Sequence, residues 1–299
     1  MKNNQLSNYE IAFSHLDGEE VQPEKLTLYG KELNKGQFGF RLHPVIYPSS
    51  LVMLSPRWSQ SDYAYFYECR YDELYRLDLK PDIGVKGIEN NSKEIIDRLM
   101  TCSELTSDSI TNIIDLGAGP GFGLPLFCEA FPMSNISVVE GSPAAREIVK
   151  KNNFATVVGN FVDNDLAKEY SSTFDLIIMR HVVEHFLSPV GELKWVHQLL
   201  VDDGLCYIAV PDMMHPRTKL RDYKYWWEYW FRSVHCYYYN RNTLFKTLSM
   251  AGLKVILWGE ENEEIWCIVK KRRKNESKFD FDYRSSYKKQ KDIIMTLLP

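Results

Sequence analysis

The run Ile113-Ile114-Asp115-Leu116-Gly117-Ala118-Gly119-Pro120-Gly121-Phe122-Gly123 constrains this chain more than any other part of it. Its apolar start reads as a buried strand, and the alternating glycines read as a turn that opens a helix. Glycine adopts positive φ and lets a ligand approach the backbone, and the helix start beyond it presents unpaired N–H groups. Such a turn belongs to sheets in which strands and helices alternate, with ligands bound at the carboxyl ends of the strands. The flanking sequence keeps that rhythm. A helical pattern at Ser92–Glu104 precedes the strand Asn112–Leu116, and a helix over Phe122–Phe131 leads to a strand at Ser137–Glu140. Ser142 and Pro143 open the next helix, which runs through Lys151. Thr156–Val158, Phe174–Met179 and Leu205–Val210 read as further strands, with a helix at Glu192–Leu200. The uniformly apolar runs among them suit strands covered on both faces. Beyond an interruption at Asp212–Tyr239 come a helix (Asn242–Ala251) and two strands, Leu253–Trp258 and Ile265–Lys270. The polar GEENEE between those strands reads as a hairpin turn that gives the sheet an antiparallel edge. The expected fold is α/β, a doubly wound sheet.

Composition narrows the classes. With 299 residues, 44% hydrophobic and 25% charged, the chain has material for a sizeable core. That excludes a disordered chain, a collagen-like repeat and a disulfide-stapled scaffold. No apolar run approaches the roughly 18 residues of a membrane span, and the polar start MKNNQLSNYE has no signal-peptide core. The cysteines Cys69, Cys102, Cys128, Cys206, Cys236 and Cys267 are scattered, as reduced thiols of a cytoplasmic protein are. A net charge of −4 supplies no electrostatic argument for a nucleic-acid partner.

Glu140 stands about twenty residues beyond the glycines, at the end of the next strand, where a carboxylate can accept both hydroxyls of a ribose. A dinucleotide fingerprint, G-x-G-x-x-G, fails in both registers, because the last position falls on Phe122 or on Leu124. Asp115 lies two residues before the first glycine, where it would repel a pyrophosphate and pair with an ammonium group. The ligand that fits carries adenosine at one end and an amino acid at the other.

DLGAGPGFG followed by Glu140 in VVEGS resembles the class I S-adenosylmethionine-dependent methyltransferases. FDLIIMRHVVEHFLSP and LLVDDGLCYIAVPD are similar to their fourth and fifth strands. WFRSVHCYYYNRNTLFKTLSMAGLKV resembles a segment of the branch that methylates sugars, quinones and other small molecules. It departs from that pattern in having Tyr239 and Leu253 in place of phenylalanines. The resemblance spans Ser92 to Lys271. It implies a Rossmann-like sheet of six parallel strands and one antiparallel strand, S-adenosylmethionine as cofactor and S-adenosylhomocysteine as product. By the same resemblance, Gly117, Ala118, Gly119 and Gly121 line the methionine and ribose, Asp115 holds the amino group, and Glu140 takes the ribose hydroxyls. Gly141 and Ser142 lie beside the adenine, and Arg180 is a further cofactor contact. Asn160-Phe161 stands where the family has an acid–hydrophobe pair reading the adenine edge, with Asp163 or Asp165 as alternative acids.

Arg180-His181-Val182-Val183-Glu184-His185 falls where the fourth strand leaves the sheet. It satisfies the H-x-x-E-H pattern of inverted zinc peptidases, but a strand feeds straight into it and Pro189 follows, so no metal is expected. The methyltransferase reading sets His181 near the transferred methyl and turns Glu184 and His185 toward the substrate. Histidine suits the removal of an acceptor proton, and His235 is a second candidate base. The other reading has His181 capping the strand and orienting the cofactor, with Glu184 and His185 structural. In the aromatic stretch from Tyr223 to Tyr239, Tyr223, Trp226, Trp227 and Tyr237 form a substrate wall or pack as core. Arg232, with Arg217, Lys219, Arg221 and Lys224, supplies charge for a phosphate or carboxylate. Tyr71 and Tyr75 are placed in a lid.

The chain then divides into a cap region of mixed or loop-rich character (1–90), a cofactor-binding domain (91–271, with the aromatic-rich insert 212–240 after the fifth strand) and a basic tail (272–299). The short β-like runs of the first region are Lys25–Tyr29, Gln37–Leu42 and Leu51–Leu54. The tail is expected to be a helix packed on a neighbour, or at most a peripheral contact with an anionic membrane. The expected activity is O-methylation of a small polar acceptor, foremost a sugar or a nucleotide- or lipid-linked precursor of a surface glycan such as capsule or lipopolysaccharide. A non-catalytic S-adenosylmethionine sensor, an N- or C-methyltransferase and a nicotinamide oxidoreductase are the alternatives.

Overall fold

The computed structural model describes residues 9–10, 12–25, 44–75, 81–215 and 234–297. The expected run Gln37–Leu42, most of Lys25–Tyr29 and positions 216–233 of the insert lie outside the described residues.

The alternating segments form one seven-stranded sheet. Its strands, numbered along the chain, are β1 (Asn112–Leu116), β2 (Asn135–Val139), β3 (Thr156–Gly159), β4 (Phe174–Arg180), β5 (Leu200–Pro211), β6 (Leu253–Glu261) and β7 (Glu264–Lys271). Their spatial order is β6-β7-β5-β4-β1-β2-β3. Pairing is parallel from β5 through β3, and β7 runs antiparallel to both β5 and β6. The antiparallel strand is therefore internal, a correction to the expected antiparallel edge. After the insert, the chain crosses back through a helix and lays β6 down as the outermost strand. Asn262 and Glu263, both at positive φ (54° and 66°), then turn β7 into the gap beside β5. The order reverses between β1 and β4, which opens a crevice at their carboxyl ends.

Period-two alternation explains why these strands read as uniformly apolar. Ile113, Leu176, Ile178, Leu205, Tyr207 and Ala209 face one core layer, while Ile114, Ile177, Met179, Cys206, Ile208 and Val210 face the other. Nine helices are described: α1 (Gln60–Cys69), α2 (Tyr71–Tyr75), α3 (Pro81–Met100), α4 (Leu124–Ala130), α5 (Pro143–Asn152), α6 (Asn164–Glu169), α7 (Pro189–Leu199), α8 (Arg241–Met250) and α9 (Tyr283–Leu297). Ile95 and Leu99 of α3 pack with Leu124 and Phe127 of α4 and with Val149 of α5 against the first layer. Leu166 of α6, Leu193 and Val196 of α7, and Leu244 and Leu248 of α8 cover the second. Helix α3 begins well before the expected Ser92, since its first half, PDIGVKGIEN, holds a proline and two glycines, which disguise a helix in the sequence.

The N-terminal segments join the second layer. Tyr237–Tyr238, Val52–Leu54, Pro44–Ile46 and Glu24–Lys25 form a small antiparallel sheet in that order, so the end of the insert is a strand of the N-terminal region. The backbone N–H of Leu54 also donates to the carbonyl of Cys236 at 3.0 Å. Helix α9 closes this assembly: Tyr287 and Lys291 reach Glu24 at 2.8 and 2.7 Å, and buried Gln290 accepts from Asn240 Nδ2 at 3.1 Å. Among the described residues no helix is long and apolar enough to cross a membrane.

Candidate active site

Between β1 and α4 the glycine turn takes the conformation its composition predicts. Gly117, Gly119 and Gly121 have φ of 87°, 58° and 74°, in the left-handed region that L side chains avoid. A Cβ on Gly117 would stand 2.7 Å from Val182 Cγ2, so this glycine is also required by packing. The turn bounds a cavity of about 150 Å³, closed by Asp115, Ile178 and Arg180 on the sheet and by Asn91 and Ser92 of α3. Burial, aided by the negative charge of Glu140, raises the Asp115 carboxyl to about 7.

Glu140, 4% exposed, follows β2 and folds back on the turn. Its two oxygens accept from the backbone N–H of Gly119 at 2.6 Å and of Ser142 at 2.7 Å. A carboxylate can accept several hydrogen bonds at once, the chemistry that vicinal hydroxyls ask for. The turn is gripped from the N-terminal side. Asp72 of α2 accepts from Ser142 Oγ and, at 3.1 Å, from Ala144 N at the start of α5. Arg146 donates to the carbonyls of Glu140 and Gly141 at 2.9 and 3.0 Å. Above Gly141, a Cβ would meet Tyr67 at 3.0 Å and Phe161 at 3.1 Å, so both rings pack closely onto this glycine. Those rings meet edge to face at 5.6 Å, and Tyr71 stacks on Tyr67 at 4.5 Å. A positive-φ turn that bars side chains, a half-buried acid and a carboxylate at the end of β2 fit an adenosine-bearing amino acid.

At the end of β4 the polar residues separate into two groups. Arg180 and His181 both bind Glu264, the first residue of β7, with His181 Nε2 at 2.6 Å from Glu264 Oε1. Arg98 stands 3.7 Å from the other oxygen. Burial would raise the Glu264 carboxyl, but the hydrogen bond and charge of His181 and the charge of Arg180 hold it at about 2. His181 has φ of 56°, and burial, opposed by Glu264, lowers its pKa. Its ring is engaged with the hairpin.

The second group is Glu184, His185 and His235. A short 3-10 turn, Val183–His185, carries the first two, and the segment before Tyr237–Tyr238 carries the third. One ligating atom from each lies within 4.8 Å of the others. The imidazole rings are perpendicular, with centroids 4.8 Å apart. Glu184 is 1% exposed, neither of its oxygens has a hydrogen-bond partner among the described residues, and burial raises its carboxyl to about 8. Tyr67 O–H lies 3.0 Å from His185 Nδ1, and Tyr63 O–H is 2.9 Å from the carbonyl of His185 and 3.0 Å from that of Val234. Tyr67 thus touches Gly141 and Phe161 on one side and His185 on the other.

Tyr237 is buried, and its phenol accepts from Arg57 Nη1 at 2.8 Å within the packing of the N-terminal segments. Asn160 and Phe161 are exposed, Asp163 is engaged as the N-cap of α6 through Leu166 N at 2.8 Å, and Asp165 is exposed in the first turn of α6. Tyr223, Trp226, Trp227 and Arg232, with Arg217, Lys219, Arg221 and Lys224, lie outside the described residues, as does the side chain of Tyr75. Sequence reasoning did not single out Tyr63, Tyr67, Asp72, Arg98 or Glu264. The i, i+3, i+4 spacing of Tyr63, Phe66 and Tyr67 was a signal for the first two, whereas Glu264 sits in a run that reads as a solvated turn.

A family model described as "Methyltransferase domain" matches residues 88–257. Among solved structures, Burkholderia thailandensis 1,6-didemethyltoxoflavin-N1-methyltransferase, crystallised with 1,6-didemethyltoxoflavin and S-adenosylhomocysteine, is similar at 14% identity and a TM-score of 0.52. The match covers 84% of this chain and 100% of that one. A chain from the complex of a Haloferax volcanii methyltransferase activator with a methyltransferase is similar at 12% identity and a TM-score of 0.50. That match covers 71% of this chain and 98% of the other. At such identities the likeness is one of fold. No curated protein matched the chain.

Proposed function

The chain belongs to the methyltransferase-domain family as a class I S-adenosylmethionine-dependent enzyme, and we propose that it methylates an oxygen of a small polar acceptor beside Tyr67, Glu184, His185 and His235. A sugar, or the activated precursor of a surface glycan, ranks first among such acceptors. The observation that carries this reading is Tyr67: its ring covers Gly141 while its hydroxyl meets His185 Nδ1 at 3.0 Å, joining the segment after β2 to the polar cluster.

In this reading Glu140 accepts the ribose hydroxyls, Asp115 faces the amino group, and Arg180 faces the carboxylate of the cofactor's amino-acid end. Tyr67, Gly141 and Phe161 enclose the adenine. When bound, the cofactor supplies a methyl group on a positively charged sulfur. His181, held by Glu264, keeps Arg180 and the end of β4 in register. Glu184, His185 and His235 face the acceptor and govern its proton. A hydroxyl holds its proton at neutral pH, so transfer to oxygen asks for such groups, whereas a neutral amine already has a free lone pair. Phenol, imidazole and carboxylate together suit a polyol, which presents several hydroxyls to be hydrogen-bonded. The six cysteines, none of them in a disulfide, support a reducing compartment such as the cytoplasm.

The test is incubation of the full chain with S-adenosylmethionine and a panel of sugars, nucleotide sugars, small amines and phenols. Adenosylhomocysteine release and methylated product are followed by mass spectrometry. A methyl ether on a hydroxyl acceptor supports the reading. Methylation confined to nitrogen or carbon overturns it.

A further inference from the structure

We infer that Glu184, His185 and His235 form a binding site for a divalent transition-metal ion such as zinc. Buried polar oxygens without a hydrogen-bond partner are costly, and a bound cation would satisfy them. Both oxygens of Glu184 are in that condition, at 1% exposure. The groups beside it are metal ligands by nature: His185 Nε2 is 3.9 Å from Glu184 Oε1, and the three donors lie within 4.8 Å of each other. A tetrahedral ion with bonds of about 2.1 Å sets its ligand atoms about 3.4 Å apart, so the widest pair must close by about 1.4 Å. Side-chain rotation covers that distance.

The surroundings are those of a metal site. A ligating histidine usually donates its other ring N–H to an acceptor, and here the Tyr67 hydroxyl oxygen lies 3.0 Å from His185 Nδ1, where it accepts that N–H in the tautomer whose Nε2 binds a metal. Tyr63 O–H lies within hydrogen-bond distance of the carbonyls of His185 and Val234, tying together the two segments that carry the ligands. Two histidines and one glutamate leave a coordination position open, as catalytic zinc sites do. The H-x-x-E-H reading of the sequence grouped the wrong histidine: His181 is bound to Glu264, and the third donor comes from a distant segment, His235. The ion would hold an oxygen of the acceptor and lower its pKa. That use rests on the proposed acceptor site, while the metal site itself does not.

The experiment is calorimetric titration of zinc chloride into chelator-treated full chain, repeated with cobalt while following its absorption spectrum. One zinc per chain is expected, with a cobalt spectrum of nitrogen–oxygen coordination. Glu184→Gln and His235→Ala should each weaken zinc at least about tenfold, while His197→Ala on α7 should leave it unchanged. Wild-type protein that takes up no zinc overturns the site, and so do folded Glu184→Gln and His235→Ala variants that bind zinc as tightly as wild type. Thermal unfolding of each variant establishes its fold. Adenosylhomocysteine titrated into the same wild-type sample separates the two readings. Cofactor binding without zinc binding overturns the metal site alone, and zinc binding without cofactor binding supports the site while contradicting the methyltransferase reading.

Discussion

Glu264→Gln removes the negative charge on which Arg180, His181 and Arg98 converge. Glu264 is 2% exposed, contacts Arg180 directly, and lies 2.6 Å from His181 Nε2 and 3.7 Å from Arg98 Nη1. Burial acts to raise its carboxyl, yet the hydrogen bond and charge of His181 with the charge of Arg180 bring it from 4.5 to about 2. At about 1.36 kcal/mol per unit, that difference sets an upper bound of about 3 kcal/mol of folding stability at neutral pH, where His181, its own pKa lowered, contributes its hydrogen bond and no charge. Removing one partner of a buried ion pair costs about 3–5 kcal/mol by mutational experience, which agrees. Because the folded-state pKa is depressed, this contribution is complete above pH 4.5 and is lost as the pH falls toward about 2. Urea unfolding at pH 7 and at about pH 3.5, followed by tryptophan fluorescence, measures it. The variant should be about 3 kcal/mol less stable at pH 7, with a narrower gap in acid. A gap below about 1 kcal/mol at neutral pH, or one that does not shrink on acidification, refutes the assignment of a buried charge to Glu264.

Three further perturbations probe the cofactor side. Gly117→Ala places a Cβ at positive φ, 2.7 Å from Val182 Cγ2. It should cost about 1–2 kcal/mol in unfolding experiments and weaken adenosylhomocysteine in calorimetry; unchanged stability and affinity would contradict a strained, close-packed turn. Asp115, raised to about 7 by burial and by Glu140, is protonated below that pH and then cannot pair with an ammonium group. Cofactor affinity should fall by up to about tenfold per pH unit below about 7, and Asp115→Asn should flatten the profile; a flat wild-type profile between about pH 6 and 8 removes Asp115 from the amino-group site. Tyr67→Phe deletes the hydroxyl on His185 Nδ1 while keeping the ring over Gly141. Turnover should drop about tenfold or more with the dissociation constant of adenosylhomocysteine unchanged; equal losses in both would make Tyr67 a cofactor contact alone.

How much of this was legible depends on whether the signal was local. The inner parallel strands β1, β2, β4 and β5 announce themselves because both sheet faces are covered, and the glycine turn because positive φ demands glycine. Ser142 was readable as a helix start, and its side chain does cap α5 through Ala145 N. Sheet order was not readable at β7, since insertion between β5 and β6 depends on where the chain crosses, a non-local choice. Glu264 illustrates the limit: in GEENEE it looks solvated, yet as the first residue of β7 it is aimed at β4 and meets Arg180 and His181. The same holds for the histidines. Local spacing joined His181 to Glu184 and His185, but backbone geometry at the end of β4 turns His181 to the hairpin, and the N-terminal sheet brings in His235 through Tyr237–Tyr238. The N-terminal region resisted reading because its described strands are two or three residues long and show no period.

Calorimetric titration of adenosylhomocysteine into wild type and Glu140→Ala tests the central claim most directly. Two ribose hydroxyls on one carboxylate are worth about 1.5–3 kcal/mol each, so the wild type should bind and the variant should lose about a hundredfold or more in affinity with its fold retained. A wild type that does not bind adenosylhomocysteine, or a folded variant that binds it as tightly as wild type, would contradict the account.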